Sequence, residues 1–343
     1  MPVSISGTNG VTFPDSSLQA AAASPYVLKN RIINGDMRID QRNAGASITA
    51  TTSSYAVDRT VSYYSGSGSV TTQQSSIVPT GFSKSLSLTC VTGSSPTASQ
   101  QAAVWQRIEG FNVADLNFGT ANAQTITLSF WVRSSVTGTY CVYFVNGAYN
   151  RSYVATYTIS AANTWEQKSI TIVGDTSGTW PTDNSRAMAV GWSLGSGSSF
   201  TTTAGSWQAG EYQQTSSQAA WSSTTGATFY ITGVQLEQNT SATPFERRLY
   251  GQELANCQRY YELCVGGVMT SINTNAGYIG AATNFSVAKR ATPTVTRVSD
   301  VNADAVNTPF SEQISINGFR AAAQVTTSAG AKFQTLYKAE IEL

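Results

Sequence analysis

The chain contains no histidine. Every Ser-His-Asp or Cys-His nucleophile and every histidine-based metal site needs an imidazole that titrates near neutrality or donates a lone pair, so those chemistries are excluded. Carboxylate-pair glycosidases and lysine chemistry survive that exclusion. Charge is scarce too: Asp, Glu, Lys and Arg make up 11% of the 343 residues, against about 25% in an average globular protein. The net charge of +1, with no basic run longer than two, as at Arg247-Arg248, offers no field to steer nucleic acid or to hold anionic lipid. No stretch approaches the ~20 apolar residues of a membrane span, and the start MPVSISGTNG lacks the basic and apolar blocks of a secretion signal. The expectation is a chain made soluble in a cytoplasm, with neither nucleic acid nor membrane as partner. Cysteine is sparse as well: Cys90, Cys141, Cys257 and Cys264 form no CxxC and read as small buried hydrophobes.

What fills the composition is Ser, Thr, Gly, Asn and Gln beside a 41% hydrophobic content, which is enough for a core wetted by hydroxyls and amides. The length predicts two compact units and an appendage. Residues 1–25 read as an attachment arm, with Gly7, Gly10 and Pro14 as breakers and the alanine-rich SLQAAAAS as one or two helical turns. Residues 26–242 are a long series of short, alternating apolar runs between Ser/Thr/Gly loops, the pattern of a β-sandwich. The clearest is 125–133, where Ile126, Leu128, Phe130 and Val132 share one face, and 140–145, 169–173, 187–193 and 229–236 repeat the style. The glycines at 66, 68, 195 and 197 sit in Ser-rich loops with no strand-to-helix context, so no phosphate loop is read there.

Residues 243–266 predict a linking helix. Thr243-Pro244-Phe245-Glu246 has the form of a capping box with Pro at the first helical position. Tyr250, Leu254, Cys257, Tyr261 and Cys264 then follow at spacings that put them on one helical stripe, closed by Gly266-Gly267. Such a stripe serves equally as an oligomer contact or as packing on its own domain. Residues 267–343 return to strands at 278–282, 285–288, 294–298, 313–326 with an Asn317-Gly318 turn, and 332–343.

Aromatic rings stack on the C–H face of a pyranose while amides and hydroxyls bond its oxygens. The sequence has seven Trp and sixteen Tyr. Trp180, Trp207, Tyr212, Trp221 and Tyr149 lie in polar, loop-like context and are the glycan-binding candidates, with loop pinning as the alternative role. Trp105, Trp131, Trp165 and Trp192 fall in or beside strands and read as core. Asp36, Asp40 and Glu237 come from the two ends of the sandwich segment and would suit a structural calcium, or stand as carboxylates with local hydrogen bonds. No other cofactor is expected, and no pair of carboxylates is marked as catalytic.

Four stretches carry a resemblance. SISGTNGVTFPDSSLQ resembles the segment that opens many tailed-phage fibre proteins. NRIINGDMRIDQRN with YAVDRT, WQRIEGFNVADLNFGTANAQTITLSFWVRSS, and FYITGVQLEQNTSATPFERRLYGQELANCQRYYE look like a family of tailed-bacteriophage fibre and tail-associated proteins, over residues 1 to about 262. The middle segment is similar to jelly-roll carbohydrate-binding modules: Asn34, Gly35 and Asp36 match their opening, and Phe130-Trp131 and Trp165 their middle strands. Thr232-Gly233 before Val234 departs from the acidic pair such modules usually carry there, which weakens carry-over of their calcium site. The resemblance implies an all-β chain built as arm, jelly-roll sandwich, short helix and C-terminal β domain. It implies a non-enzymatic virion protein: a homotrimeric tail fibre or receptor-binding subunit, docked on tail or baseplate proteins by its N-terminal arm and adhering to host surface glycan. A head fibre or capsid decoration protein is the alternative, and a polysaccharide depolymerase a further one.

Overall fold

The computed structural model describes residues 29–272, 277–326 and 330–343, together with three short strands in the N-terminal segment. Those strands, β1 (Ser4–Ser6), β2 (Gly10–Thr12) and β3 (Leu18–Gln19), form one antiparallel sheet. Gly10, expected as a breaker, opens β2, and Leu18 and Gln19, expected in helical turns, form β3. The rest of the expected arm, including the alanines that follow, lies outside the described residues.

The sandwich contains β4 (Ile48–Thr49), β5 (Ser54–Val57), β6 (Thr60–Tyr64), β7 (Ser69–Ser75), β8 (Ser85–Thr92), β9 (Gln101–Glu109), β10 (Ile126–Ser134), β11 (Gly138–Asn146), β12 (Arg151–Ile159), β13 (Glu166–Ile172), β14 (Arg186–Ser196), β15 (Trp207–Ala209) and β16 (Thr228–Gln238). A six-stranded sheet in the order β13-β10-β16-β8-β7-β4 faces a seven-stranded sheet in the order β15-β12-β11-β14-β9-β6-β5. The chain crosses repeatedly from one sheet to the other, so hydrophobic alternation on each strand points one set of side chains into a shared interior. Ile126, Leu128, Phe130 and Val132 of β10 are buried there, as their spacing predicts, beside Tyr140, Val142 and Phe144 of β11 and Trp192 of β14. Phe130 meets Tyr157 and Trp192 edge-on at 5.2 and 5.4 Å. Full burial of one such side chain is worth about 1.5–3 kcal/mol, so this interior dominates the stability of the domain.

The expected capping box does not form. Helix α1 runs Tyr250–Gln258 and is preceded by Leu249, with no side-chain cap. The Thr243 amide and hydroxyl both donate to the Glu237 carboxylate, at 2.9 and 2.6 Å, and the Glu246 carboxylate accepts the Asn30 amide at 2.9 Å. The residues that spell a capping box therefore tie the chain back onto the sandwich. Beyond Gln258 the expected helix is replaced by strand β17 (Tyr261–Ile272), which carries Gly266 and Gly267 within it. The strand wins because its inner positions face Phe319, Ala321 and Tyr337 in a second core.

That core belongs to the C-terminal domain, whose other strands are β18 (Tyr278–Asn284), β19 (Thr294–Asp304), β20 (Phe310–Glu312), β21 (Gly318–Gln324) and β22 (Ala331–Glu340). Two three-stranded sheets, β17-β22-β19 and β18-β21-β20, pack face to face. In β22, where the sequence predicts a strand over 332–343, the alternate residues Phe333, Thr335, Tyr337 and Ala339 are buried. The segment expected as a strand at 285–288 is irregular; Ser286 donates its amide and hydroxyl to Glu262, and Lys289 is buried in an ion pair with the same carboxylate at 2.5 Å.

The two domains share a clasp built from the stretches that carry the fibre resemblance. Arg42 reaches Asp58 at 3.0 Å and Glu342 at 2.9 Å, and Arg59 also pairs with Glu342 while lying 3.4 Å over the Tyr260 ring. Arg259 bonds both oxygens of buried Glu109 at 2.6 and 3.0 Å, and Tyr260 donates its hydroxyl to Glu109 at 2.6 Å. Asn34, in a left-handed conformation, bridges the Ile39 and Asp58 carbonyls. The neighbouring Gly35 tolerates no side chain, since a Cβ would stand 2.2 Å from the Val234 carbonyl oxygen.

Candidate functional site

The seven-stranded sheet has a second apolar side. Its inner positions enter the sandwich core, while Val61, Ala103, Trp105, Cys141, Tyr143, Val145, Val154 and Ala189 form a separate cluster on the outer face. Strand register explains how they meet: Val154, Tyr143, Gly191, Trp105 and Val61 are successive cross-strand neighbours over β12, β11, β14, β9 and β6. Two large rings thus flank a glycine. A Cβ at Gly191 would lie 2.2 Å from Tyr143 Cζ, so the glycine is what lets the tyrosine ring lie down on the sheet.

Half-buried side chains rim this floor. Tyr63 lies over Trp105 with ring centroids 4.7 Å apart, and Arg107 reaches the same indole at 5.5 Å. Tyr149 lies 4.0 Å beneath the Arg186 guanidinium, and its hydroxyl accepts from Arg186 at 2.8 Å and from Arg107 at 3.2 Å. On the other side Tyr212 is fixed by its amide, which donates to Ser152 Oγ at 3.0 Å. The crossing segment is anchored further by Gln214, whose amide oxygen accepts from Ser193 Oγ at 2.9 Å and the Ser196 amide at 2.8 Å.

Among the described residues, unpaired polar groups occur in this floor as they do in the sandwich interior, where the Trp192 and Trp221 indole N–H groups and the Tyr157 hydroxyl lack partners. The Trp105 indole N–H and the Tyr143 hydroxyl are buried with no hydrogen-bond partner. Leaving such a group unpaired costs about 1–3 kcal/mol. Burial, reinforced by Glu211, holds the Tyr143 hydroxyl well above the usual phenol range. Burial also raises the Glu211 carboxyl, against the Gln213 amide and Arg186, which lower it. The rim therefore offers aromatic rings, two guanidinium groups and the Glu211 carboxylate at close quarters, over the buried Trp105 and Tyr143.

A second aromatic group closes one edge of the sandwich. Phe118, Trp180 and Trp207 meet edge-to-face, with centroids at 4.9, 5.8 and 5.4 Å, and Tyr153 joins Trp207 at 5.4 Å. Both indole N–H groups are committed to backbone carbonyls, Trp180 to Ser177 at 3.1 Å and Trp207 to Val173 at 2.9 Å.

No family model matches the chain, and no curated protein matches it. Among solved structures, it is similar to the enzymatically active domain of tailspike protein 4 of bacteriophage CBA120, at 15% identity over 61% of this chain and 21% of that one, with a TM-score of 0.33. The chain thus spans about a fifth of the tailspike chain. It is also similar to a family 11 carbohydrate-binding module from Clostridium thermocellum in complex with a β-1,3-1,4-mixed-linked tetrasaccharide, at 11% identity over 58% of this chain and 100% of that one, with a TM-score of 0.30. A C-terminal family 22 carbohydrate-binding module of Clostridium thermocellum Xyn10B gives 13% identity, 64% and 100% coverage, and a TM-score of 0.31.

The five sequence-predicted glycan residues separate into three places. Tyr149 and Tyr212 rim the outer sheet face, and Trp180 and Trp207 lie together at the sandwich edge. Trp221 is a correction: it is fully buried between the sheets and presents no ring face to a ligand. Trp105, expected in the core, floors the outer face, whereas Trp192 is core and Trp131 and Trp165 are half-buried. Tyr63 and Tyr143 were not singled out by sequence; the signal was present in β11, where Cys141, Tyr143 and Val145 make the second face as apolar as the first.

The expected oligomer stripe does not exist as one face. Tyr250 is exposed, Leu254 packs with Ile33, Ile39 and Tyr260, and Cys257 is fully buried in that cluster. Tyr261 and Cys264 lie on β17, where Tyr261 sits 3.7 Å from the Arg42 guanidinium and Cys264 enters the C-terminal core. All four cysteines are buried free thiols.

Asp36, Asp40 and Glu237 do not converge on an ion. Asp36 pairs with Arg38, Asp40 accepts the Asn43 and Gly45 amides at 2.8 and 2.7 Å, and Glu237 holds Thr243 and Gln235. Among the described residues no group of three acids or cysteines is placed to hold a metal. Each oxygen set is consumed by local donors, so the residues do not fit a calcium site.

Proposed function

We propose that the chain is a structural subunit of a tailed-phage particle, a fibre or receptor-binding protein that adheres to host surface glycan through the outer face of its seven-stranded sheet. One observation carries the binding reading: the half-buried rings of Tyr63, Tyr149 and Tyr212 and the guanidinium groups of Arg107 and Arg186 rim one sheet face over a floor that holds Trp105 and Tyr143. A sugar ring would stack on the rim rings while the Arg107 and Arg186 guanidinium groups bond its hydroxyls. The fibre setting is favoured by the four sequence stretches named above, three of which supply residues of the interdomain clasp. Docking to tail or baseplate proteins through residues 1–25 belongs to the same reading.

Action by binding rather than by hydrolysis is part of the proposal. Glycoside cleavage in its usual form needs two carboxyl groups flanking the bond, about 5–9.5 Å apart; of Glu211 and Glu340, the side-chain carboxylates that act on tyrosines of this cluster, Glu340 is paired with Arg42. A homotrimer is proposed on exposed apolar side chains of the C-terminal domain, including Leu263, Val265, Val298 and Val301. The test combines light scattering with adsorption to host cells and a reducing-sugar assay. The expected results are a mass three times the 36.4 kDa chain, saturable adsorption competed by host polysaccharide, and no sugar release. Adsorption that host polysaccharide fails to compete would overturn the glycan reading, and released reducing ends would make the protein a depolymerase.

A further inference from the structure

At the sandwich edge, beside Trp180, lies a cavity of about 210 Å³. Its deep end is made by Leu116, Phe118 and Met188, all buried, and its mouth by Asn117, Pro181 and Thr182. The lining carries no formal charge. Its walls are tied down: Arg31 pairs with Asp115 at 2.6 Å beside one wall, and Arg151 pairs with Asp175 at 2.6 Å beneath the loop that carries Trp180. The cavity is thus preformed, and its volume exceeds the roughly 150 Å³ of an apolar cavity that accepts a benzene-sized guest.

Apolar depth and polar mouth together define the guest. A charged ligand would lose hydration with no countercharge in the lining. A purely apolar one would leave the mouth unused: the Asn117 carboxamide donates to the Asp115 carbonyl at 3.0 Å, and among the described residues its oxygen and the Thr182 hydroxyl bond no protein group. We propose that this cavity is a subsite for a neutral sugar bearing a methyl group, as in a 6-deoxyhexose or an acetylated hexose. The methyl enters the space between Leu116, Phe118 and Met188, the ring lies at Trp180, and Asn117 and Thr182 meet its hydroxyls. This assignment rests on the glycan reading above and names a sugar class for a site apart from the sheet face.

Saturation-transfer NMR on the full chain tests it, with L-rhamnose against L-mannose, L-fucose against L-galactose, and N-acetyl-D-glucosamine against D-glucose. At least one methyl-bearing sugar should bind about three- to fivefold more tightly than its parent, the effect of burying one methyl group, with the strongest saturation on its methyl protons. Ala114→Phe, which fills the cavity, and Thr182→Trp, which covers its mouth from an exposed position, should each abolish that preference and leave host-polysaccharide adsorption at the sheet face intact. Equal binding of every pair, or a preference that survives both substitutions, overturns the subsite while polysaccharide adsorption stands. Absence of binding by free sugars and by host polysaccharide alike overturns both readings.

Discussion

Gly191 lies directly opposite Tyr143 across the β11–β14 ladder, and the tyrosine ring occupies the space that a side chain at Gly191 would need. Gly191→Ala must lift the ring or shift a central strand. Overpacking of this kind costs about 1–3 kcal/mol. The variant should unfold at lower denaturant and adsorb polysaccharide more weakly per folded molecule. Full adsorption by the folded variant would show that the position of the Tyr143 ring is irrelevant to binding.

Tyr143 also supports a prediction of opposite sign. Its hydroxyl is buried and unpaired, a cost that Phe does not bear. Tyr143→Phe should therefore be as stable as the natural protein or more stable by about 1 kcal/mol, with polysaccharide adsorption unchanged because the hydroxyl lies beneath the rim. Chemical denaturation and an adsorption isotherm on the same sample decide it. A loss of stability would mean that the hydroxyl has a partner in solution.

Glu211 gives the pH dependence. Burial raises its carboxyl, so the folded protein binds this proton more readily than the unfolded chain does. Stability from this group is complete below the unfolded value of about 4.3 and falls as pH rises through the folded value. Glu211→Gln removes that loss. The variant should melt higher than the natural protein at pH 7, and the difference should shrink to nothing below about pH 4. A difference that does not change with pH would assign the effect to packing.

The clasp predicts coupling between domains. Glu109 is buried and holds Arg259 and Tyr260, so Arg259→Ala leaves a buried carboxylate with a single donor from that pair. Removing one partner of a buried ion pair costs about 3–5 kcal/mol, with the lower end expected here because Arg259 is a third exposed. Calorimetry should show the C-terminal domain separating into an earlier transition. A single unchanged transition would mean that the clasp does not join the domains energetically.

Much of this architecture was legible because strand alternation is a local property. Ile126 to Val132 fixed an inward face, and Phe333 to Ala339 did the same in the second domain. The helix end was not legible. Tyr261 and Cys264 continue a helical spacing, but their burial against Arg42 and Tyr337 is decided by a strand more than sixty residues later. The sheet-face site was only half readable for the same reason. Tyr149 and Tyr212 stood out by their polar neighbours, while Tyr63, Trp105 and Tyr143 become one surface only through the β6–β9–β14–β11 pairing. Trp221 misled because a polar loop sequence hides a ring that turns inward.

Aromatic side chains at the two regions should respond differently to truncation, and that contrast tests the whole functional reading. Tyr63 is half-buried, packs on Trp105 by one ring contact, and rims the sheet face. Trp207 makes three ring contacts, spends its indole N–H on the Val173 carbonyl, and closes the sandwich edge. Trp207→Ala should lower stability by about 3–5 kcal/mol, the usual cost of truncating a packed Trp, while polysaccharide adsorption per folded molecule stays unchanged. Tyr63→Ala should cost little stability and weaken adsorption. A single aromatic contact is worth about 0.5–1.5 kcal/mol, or roughly a two- to tenfold change at one site. On a particle carrying many copies the loss multiplies, because avidity depends on every site at once. Adsorption of purified protein to host cells, recorded beside thermal melting, separates the two effects. If Tyr63→Ala binds as well as the natural protein and Trp207→Ala does not, the site lies at the edge and the sheet face is structural.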